Sequence, residues 1–559
     1  MASIRLFLYQ LLNNKRIAWF IIAVATISKS ILVAVFSNYE TDKSFYLLLA
    51  KNLSAGKGFT IPVTLLSNLG ITENIYLPSA ASPLYSIIAA PLLKLFPDNY
   101  FLVTWLIESL SWLFLFLILR KIMLLLTENH FWTNLFILFS GFFLYTVEIS
   151  SSSKDVFALA LLFLALLRCI TIAHAGSRPS FVYLVVTAFL FFLPGLMKLT
   201  YLPLTIVFPL SLVFIGFLKK EKRLLRYSYI TLLFSVVLLA THYFYFHSLE
   251  KQTLALYPDF YSQRWTMAKS GDEYMAGFFP KNLLVMYPFT TASVINLDFL
   301  GVQVKTHLHS VYHLYGVLLY IINFIGLAFL ITVFFYLAKK YFRKSIPDRI
   351  FFLLTGLFVS LSIIAMLSYM SLRYHAVEYK GSVSSWTFVY ESRGFLFPII
   401  FLQLCFFIFL FSQKQMAAFT HWLRTFFLII IGISIVHGAY FLAKKAIPLR
   451  SSKQKAMSVN GLVTNSVDSI QKANPGYAVW LATEMPHLDW YAKLHSKNVL
   501  TGLAFLNDSS FRLPPKTIML TAAAKEDTAR ISNYLHRPDV KQYHNYDNVY
   551  FVFRQDTVR

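Results

Sequence analysis

Eleven apolar runs, most of them close to 20 residues long, limit the folds that are open to this sequence. A helix needs about 20 apolar residues to cross the ~30 Å hydrocarbon core of a bilayer. With 57% apolar and 14% charged residues, the chain has too few polar side chains to cover a soluble fold of 559 residues. The runs lie near residues 17–36, 100–119, 131–147, 156–173, 181–196, 199–217, 228–247, 311–337, 350–370, 395–411 and 425–443. The sequence therefore predicts a polytopic α-helical membrane protein with about 11 transmembrane helices.

The distribution of Lys and Arg predicts the orientation of these helices. With the N-terminus inside, the internal segments hold 18 Lys and Arg in 69 residues, whereas the external segments hold 14 in 163. Basic residues accumulate in cytoplasmic loops, so this orientation is favoured. Basic residues in cytoplasmic loops and beside anionic lipid headgroups also explain the net charge of +24. The sequence contains no basic soluble segment of the kind that binds nucleic acid. Four loops then face outward, at residues 37–99, 148–155, 248–310 and 371–394, together with the short segment 196–200.

The apolar run at residues 83–96 is too short to be counted as a span. It has 14 residues, includes two prolines and contains Lys94. This length favours an interfacial or re-entrant helix. Counting it as a span would also reverse the predicted membrane orientation of every later helix, and would place the basic run 219–226 outside.

The composition changes after residue 445. Residues 446–559 contain 23 charged residues in 114, against 53 in the first 445. Strand-like runs at 477–482, 516–522 and 548–554 alternate with amphipathic helical patterns at 484–495 and 525–535. The sequence predicts a membrane module at 1–445 and a small extracytoplasmic α/β domain at 446–559.

The first outer loop carries acidic residues where the chain leaves the first span. Glu40 and Asp42 precede a helical pattern that is amphipathic from Ser44 to Ala55 and ends at Gly56. A carboxylate at the start of an interfacial helix can act as a general base on an acceptor hydroxyl or amine. Alternatively, Asp42 only caps the helix.

The run Asp42-x-x-x-Tyr46-x-x-x-Ala50, with the later Pro83-Leu84-Tyr85, resembles the first outer loop of GT-C fold glycosyltransferases. Within that superfamily the loop resembles those of protein O-mannosyltransferases and the lipid A aminoarabinose transferase, together with related bacterial lipopolysaccharide sugar transferases. The resemblance implies a GT-C-like membrane module in which Asp42 is catalytic. Glu40, Tyr46 and Tyr85 are expected to support the acceptor. The Glu-Lys-Pro-Pro run of the aminoarabinose enzymes is missing before Pro83, so the sugar stays open.

Two further matches lie in the next outer segments. Asp155 stands where the family places a second acidic residue, and Glu148 is the alternative. Lys198 stands where relatives have a lysine beside the donor phosphate. From the residues alone, Asp155 with the serines before it is also typical of a helix start. Lys198 is equally compatible with snorkelling to the membrane interface.

The last outer loop supplies guanidinium groups. Arg393 occupies a position where the family has an arginine, and Arg373 adds positive charge to the same loop. Guanidinium binds phosphate oxygens in a fixed fork, so both are candidate donor-phosphate ligands. A contact between Glu391 and Arg393 within the protein is the competing interpretation.

Metal binding has little support in the sequence. His309 and His313 have i, i+4 spacing and would share a helix face, so they are weak candidate metal ligands. No carboxylate lies near them in sequence. No cofactor is predicted, and Cys169 and Cys405 both lie in apolar runs.

The resemblance implies an inverting glycosyltransferase of the cell envelope, in a bacterial inner (plasma) membrane. Its donor would be a polyprenyl-phosphate sugar lipid and its acceptor a lipid, a glycan or a protein. Two alternatives remain open. One is a lipid-linked glycan polymerase or ligase with a diphosphate-linked donor. The other is a transporter or flippase, although no paired broken helices are evident.

Overall fold

The structure is a computed structural model that describes most of the chain. The described residues are 9–36, 42–64, 72–76, 83–143, 153–174, 180–256, 312–378, 396–411, 418–446, 459–483, 485–501, 513, 515–524, 540–544 and 549–555. They form two compact units. The first consists of Met1–Ser37 and Trp105–Ile447, and the second of Asn38–Thr104 and Pro448–Arg559.

The first unit is a bundle of apolar helices. In chain order these are α1 (Ile17–Phe36), α4 (Tyr100–Thr127, from Trp105 onward), α5 (His130–Phe142), α6 (Ser153–His174), α7 (Phe181–Met197), α8 (Leu204–Lys219), α9 (Lys222–Leu256), α10 (Tyr312–Lys340), α11 (Asp348–Glu378), α12 (Leu396–Phe406) and α13 (Ala418–Phe441). Short π-helical segments, Phe407–Phe411 and Leu442–Ala446, extend α12 and α13.

Seven helices in the described part of the chain are long and apolar enough to cross a membrane. They are Ile17–Val35, Tyr100–Thr127, Lys154–Ile172, Leu199–Lys219, Lys222–Tyr245, Asp348–Met366 and Arg424–Lys444. The other four predicted spans also fall on helices, namely α5, α7, α10 and α12. The prediction of a polytopic α-helical membrane protein is confirmed.

Close helix packing in the bundle depends on small residues. A Cβ atom on Gly141 of α5 would lie 2.5 Å from the Cβ of Ala25 on α1. A Cβ atom on Gly438 of α13 would collide with the backbone carbonyl of Phe142, at the end of α5. Inside a bilayer no hydrophobic effect drives helices together, so their association depends on close packing. Small residues allow the helix backbones to approach closely enough for this.

The second unit combines the first outer loop with the C-terminal region. From the first loop come α2 (Asp42–Ser54), the antiparallel hairpin of β1 (Thr60–Thr64) and β2 (Thr72–Tyr76), and α3 (Pro83–Leu95). The C-terminal region adds α14 (Val459–Ala473), β3 (Ala478–Thr483), α15 (Pro486–Leu494), β4 (Asn498–Thr501), β5 (Thr517–Ala524), β6 (Val540–His544) and β7 (Val549–Gln555).

The C-terminal strands form one mixed sheet in the order β4-β3-β5-β7-β6. Strand β3 is parallel to both β4 and β5, whereas β7 is antiparallel to β5 and β6. Apolar residues of β3 and β5 pack against Val463 and Val467 of α14 and Leu488 of α15. The predicted C-terminal α/β fold is confirmed. Strands β4 and β6 were not predicted, because each has only four or five residues, and residues 525–535 lie outside the described part.

Two features of the first loop differ from the sequence-based expectation. The division at residue 445 assigned residues 38–104 to the membrane module, whereas they share a compact unit with Pro448–Arg559. Helix α2 was expected to be amphipathic, yet all residues from Lys43 to Ala50 are buried. The physical reason is that α2 has neighbours on more than one side, which a helical pattern in sequence cannot report. The short run at 83–96 does form a separate 13-residue helix, α3.

Candidate functional site

An ion pair joins two helix ends, each carrying a residue that the resemblance to GT-C fold enzymes implies for the site. Asp155 lies in the first turn of α6, which begins at Ser153, and Lys198 directly follows α7, which ends at Met197. The Lys198 Nζ atom lies 2.6 Å from the Asp155 Oδ1 atom. Because α6 and α7 are adjacent along the chain and pack together, the start of one and the end of the other meet at the same end of the bundle.

The backbone around Lys198 is set by a tight turn. Its N–H donates to the carbonyl of Pro194 at 2.9 Å, and its own carbonyl accepts from the N–H of Tyr201 at 2.7 Å. A Cβ atom on Gly195 would lie 2.8 Å from the Cα of Leu202, so only glycine allows this close approach of the two chain segments. The turn leaves Lys198 in an extended conformation between α7 and a short 3₁₀ helix, Leu199–Tyr201.

The pair is nearly enclosed by protein. The Asp155 side chain is 1% exposed and that of Lys198 is 12% exposed. The Lys198 ammonium also lies 5.1 Å from the centre of the Tyr201 ring, within the range of a cation–π contact. Asp155 benefits from the positive end of the α6 dipole. A carboxylate held in this way fixes the lysine, and an ammonium has three N–H donors with which to bridge a carboxylate and an anionic ligand.

The predicted base, Asp42, is the first residue of α2. The side chain of Asp42 is outside the described part, but the helix that it begins is well enclosed. Tyr46 and Tyr85, both expected to support the site, pack edge to face with ring centres 5.7 Å apart. The Ser86 hydroxyl also donates to the Tyr46 carbonyl at 3.1 Å. The structure therefore brings together the two tyrosines, which are 5% and 0% exposed.

Several other predicted site residues, or their side chains, lie outside the part of the chain that the structure describes. Glu40, Glu148, Arg393 and His309 lie outside the described residues. Arg373 belongs to α11 and His313 to α10, but their side chains are not described. Within the described ranges, no group of three or more His, Cys, Asp or Glu side chains could hold a metal ion.

The structure identifies a partner for Lys29 that the sequence did not predict. Lys29 lies within α1, is 1% exposed, and donates to the carbonyl of Phe143 at 2.6 Å, just after α5 ends. Its ammonium lies 4.9 Å from the Trp112 ring, and the Ser28 hydroxyl donates to the Gly141 carbonyl at 2.8 Å. A buried lysine therefore caps the end of α5, which immediately precedes the segment with Glu148. The unusual position of a lysine inside an apolar span was the only signal in sequence.

Tyr201 is a neighbour of the Lys198–Asp155 pair that sequence reasoning missed. It is 2% exposed and lies three residues after Lys198. The signal in sequence was weak, because only the turn between α7 and α8 brings its ring to the ammonium.

The chain has structural likenesses among solved proteins. Searches of protein-family models and of curated proteins found no match. Among solved structures, the chain is similar to the crystal structure of ArnT from Cupriavidus metallidurans bound to undecaprenyl phosphate. The alignment covers 96% of this chain and 98% of that chain, with a TM-score of 0.49 and 11% identity.

Proposed function

We propose that this chain is an integral-membrane glycosyltransferase that transfers a sugar from a polyprenyl-phosphate-linked donor to an acceptor on the extracytoplasmic face. The observation that most supports the proposal is the Lys198–Asp155 ion pair. These two residues are 43 positions apart in the chain, and the resemblance to GT-C fold enzymes implies both of them for the site. A lysine held by a buried carboxylate at the end of a helix bundle is suited to bind a lipid phosphate.

The reaction requires a base and a way to stabilise the departing phosphate. Asp42 removes the proton of the acceptor hydroxyl or amine as the acceptor attacks the anomeric carbon. The bond from that carbon to the phosphate oxygen breaks on the opposite face, so the configuration inverts. The bonding electron pair leaves with the phosphate, whose growing negative charge is stabilised by Lys198, with Arg393 and Arg373 as further ligands. The activated donor supplies the energy, so no nucleotide is needed.

Asp155 has a specific part in this scheme. Its carboxylate holds the Lys198 ammonium where the phosphate arrives, and the pairing offsets the cost of keeping each charge away from water. Glu148 is then the candidate for positioning the acceptor or the base. Glu40, Tyr46 and Tyr85 would shape the surroundings of Asp42.

The deciding experiment is mass spectrometry of the lipids that co-purify with full-length Asp42→Asn protein and with wild type. Without its base, the variant should retain unreacted donor, and the mass of this lipid would identify the sugar. Asp468→Asn is the matched control, since Asp468 is half exposed, pairs with Lys497 and has no proposed part in the reaction. The control should retain no more lipid than wild type.

The outcomes separate the three functions. A polyprenyl-monophosphate sugar enriched on Asp42→Asn supports the proposed transferase. A diphosphate-linked oligosaccharide would indicate a polymerase or ligase instead. If no glycolipid is retained and Asp42→Asn transports or transfers as wild type does, the catalytic assignment fails and a transporter becomes the better explanation.

A further inference from the structure

Helix α2, which begins with Asp42, is enclosed on one side by the other helix of the first loop. Tyr46 packs on Tyr85 of α3, and the Ser86 hydroxyl of α3 bonds to the carbonyl of Tyr46. Farther along, the Asn52 amide donates to the carbonyl of Thr60 at 2.7 Å, which ties the end of α2 to strand β1. These contacts all lie within the first loop, and their partners are at most 40 residues apart in sequence.

A second side of α2 is covered by the C-terminal domain of the same unit. The Phe45 ring lies 5.0 Å from the Trp490 ring, measured between ring centres. Trp490 belongs to α15, which carries the buried Asp489–Lys493 ion pair and is packed on the sheet through Leu488. Phe45 is 2% exposed. An aromatic contact therefore connects the beginning of α2 with a firmly packed helix of the C-terminal domain.

Lys51 makes a second connection near the end of α2. Its ammonium donates to the carbonyl of Leu494 at 2.7 Å and to the hydroxyl of Ser496 at 2.9 Å. Leu494 is the last residue of α15, so the ammonium lies where the helix dipole favours a cation. The Tyr100 hydroxyl lies 3.0 Å from the same carbonyl and 3.3 Å from the Lys51 ammonium.

The two connections together determine how α2 is oriented. Phe45 contacts Trp490, and Lys51, six residues later, contacts the end of α15 four residues beyond Trp490. The two helices therefore run side by side in the same direction. The two contact points are about 9 Å apart along α2 and about 6 Å apart along α15. One contact would leave α2 able to pivot, whereas two hold both its position and its rotation. General-base catalysis requires this, because a displacement of about 1 Å can cost on the order of 100-fold in rate.

We propose that the C-terminal α/β domain is the positioning element for helix α2, and that Lys51 and Trp490 are the positioning residues through which it acts. The inference rests on the proposed function, in which Asp42 is the base. It assigns to the C-terminal domain a role in the reaction, through the position of the helix that begins with Asp42.

The test uses full-length protein in lipid nanodiscs and the variants Lys51→Met, Trp490→Ala and their combination. Hydrogen exchange is followed by mass spectrometry in peptides from residues 42–54, with β5 peptides (517–524) reporting on the sheet and α6 peptides on the bundle. The matched controls are Lys472→Met, at an exposed lysine of α14, and Trp422→Ala, at a tryptophan of α13 that is 77% exposed. Turnover is measured with the donor identified from the Asp42→Asn protein.

We expect the double variant to exchange α2 amides at least tenfold faster, with the β5 and α6 peptides unchanged and the controls like wild type. Its kcat should fall at least tenfold while its KM for the donor changes less than twofold, and Lys51→Arg with Trp490→Phe should restore most of the rate. Unchanged α2 exchange would overturn the proposal, as would a loss of β5 protection in step with α2. Faster α2 exchange with full turnover would also overturn it. If instead Asp42→Asn is fully active, the proposed base fails, while the exchange data still decide whether the domain holds α2.

Discussion

At the scale of single residues, the contact that matters most is the one between Lys198 and Asp155. Both were candidates from sequence, but each had an ordinary explanation: a helix start for Asp155 and snorkelling for Lys198. The structure adds a contact that neither explanation includes, since the ammonium and the carboxylate lie 2.6 Å apart. The pairing offsets part of the cost of removing the two charges from water.

This burial predicts an asymmetric response to mutation. Lys198→Met removes the ammonium from the 1%-exposed Asp155 carboxylate, so it should lower the free energy of unfolding by about 3–5 kcal/mol. Asp155→Asn should cost less, because the Lys198 side chain is 12% exposed and its charge keeps some contact with water. The double variant Lys198→Met/Asp155→Asn should cost less than the sum of the two, because no charge is left unpaired. A double-mutant cycle on the full chain, from denaturation midpoints, measures this coupling.

A more exposed ion pair, Lys219–Glu221, provides the control. Lys219 and Glu221 lie 2.9 Å apart but are 20% and 36% exposed. Lys219→Met should therefore change the free energy of unfolding by less than about 1 kcal/mol. If Lys198→Met lowers the free energy of unfolding no more than Lys219→Met does, the Lys198–Asp155 pair does not stabilise the bundle as described here.

At the scale of elements, close packing in the bundle depends on where glycine occurs. Gly432 and Gly438 lie on the same helix, α13, and sequence alone does not distinguish them. Among the residues that the structure describes, none lies within 4 Å of a Cβ atom on Gly432, whereas a Cβ atom on Gly438 would meet the carbonyl of Phe142. Phe142 ends α5, next to the carbonyl that Lys29 caps.

These two glycines form a matched pair for mutation. Gly438→Ala should destabilise the bundle by about 1–3 kcal/mol, because a backbone carbonyl cannot move aside as a side chain can. Gly432→Ala should be neutral or stabilising by up to about 1 kcal/mol, since alanine has the higher helix propensity. Thermal unfolding midpoints of the two variants check the difference. Equal midpoints would mean that α13 does not approach α5 as closely as the structure has it.

Helix α2 shows what a local pattern can and cannot predict. Its extent follows from the sequence, because Gly56 and Gly58 have positive φ angles of 76° and 73° and end the helix as expected. Its surroundings do not follow, because Trp490 and Leu494 lie more than 400 residues away in the chain. An amphipathic pattern predicts one covered face, and only the packing of distant segments covers a second.

At the scale of the whole molecule, the compact unit that contains α2 has a partly buried histidine, His495, whose charge state depends on pH. His495 follows α15 and packs against Tyr100 and Tyr491, with ring centres 5.2 and 4.5 Å apart. Burial lowers the pKa of His495, and the positive charges of Lys497 and Lys51 lower it further, while Asp98 and Asp468 oppose them. The neutral imidazole is therefore the form that the folded unit favours.

Acid should therefore loosen this unit. As the pH falls below about 6.5, the usual pKa of histidine, the unfolded chain binds a proton before the folded chain does. Stability is complete above that pH and decreases towards the lowered pKa of the folded state. The temperature at which residues 459–501 become cleavable in limited proteolysis should drop between pH 7.5 and pH 5.5, and His495→Gln should reduce the drop. An equal drop in both proteins would contradict the assignment to His495.

The sequence by itself determined that the chain is a helical membrane protein with a C-terminal α/β region. Both follow from local properties, namely runs long enough to cross a bilayer and strand patterns such as those of β3, β5 and β7. It also marked Asp155 and Lys198 as sites of interest. Only the tertiary structure decided that these two pair, that Lys29 caps α5, and that residues 38–104 form one unit with the C-terminal region. These are contacts between segments far apart in the chain, and they depend on how whole helices pack, which no local pattern encodes.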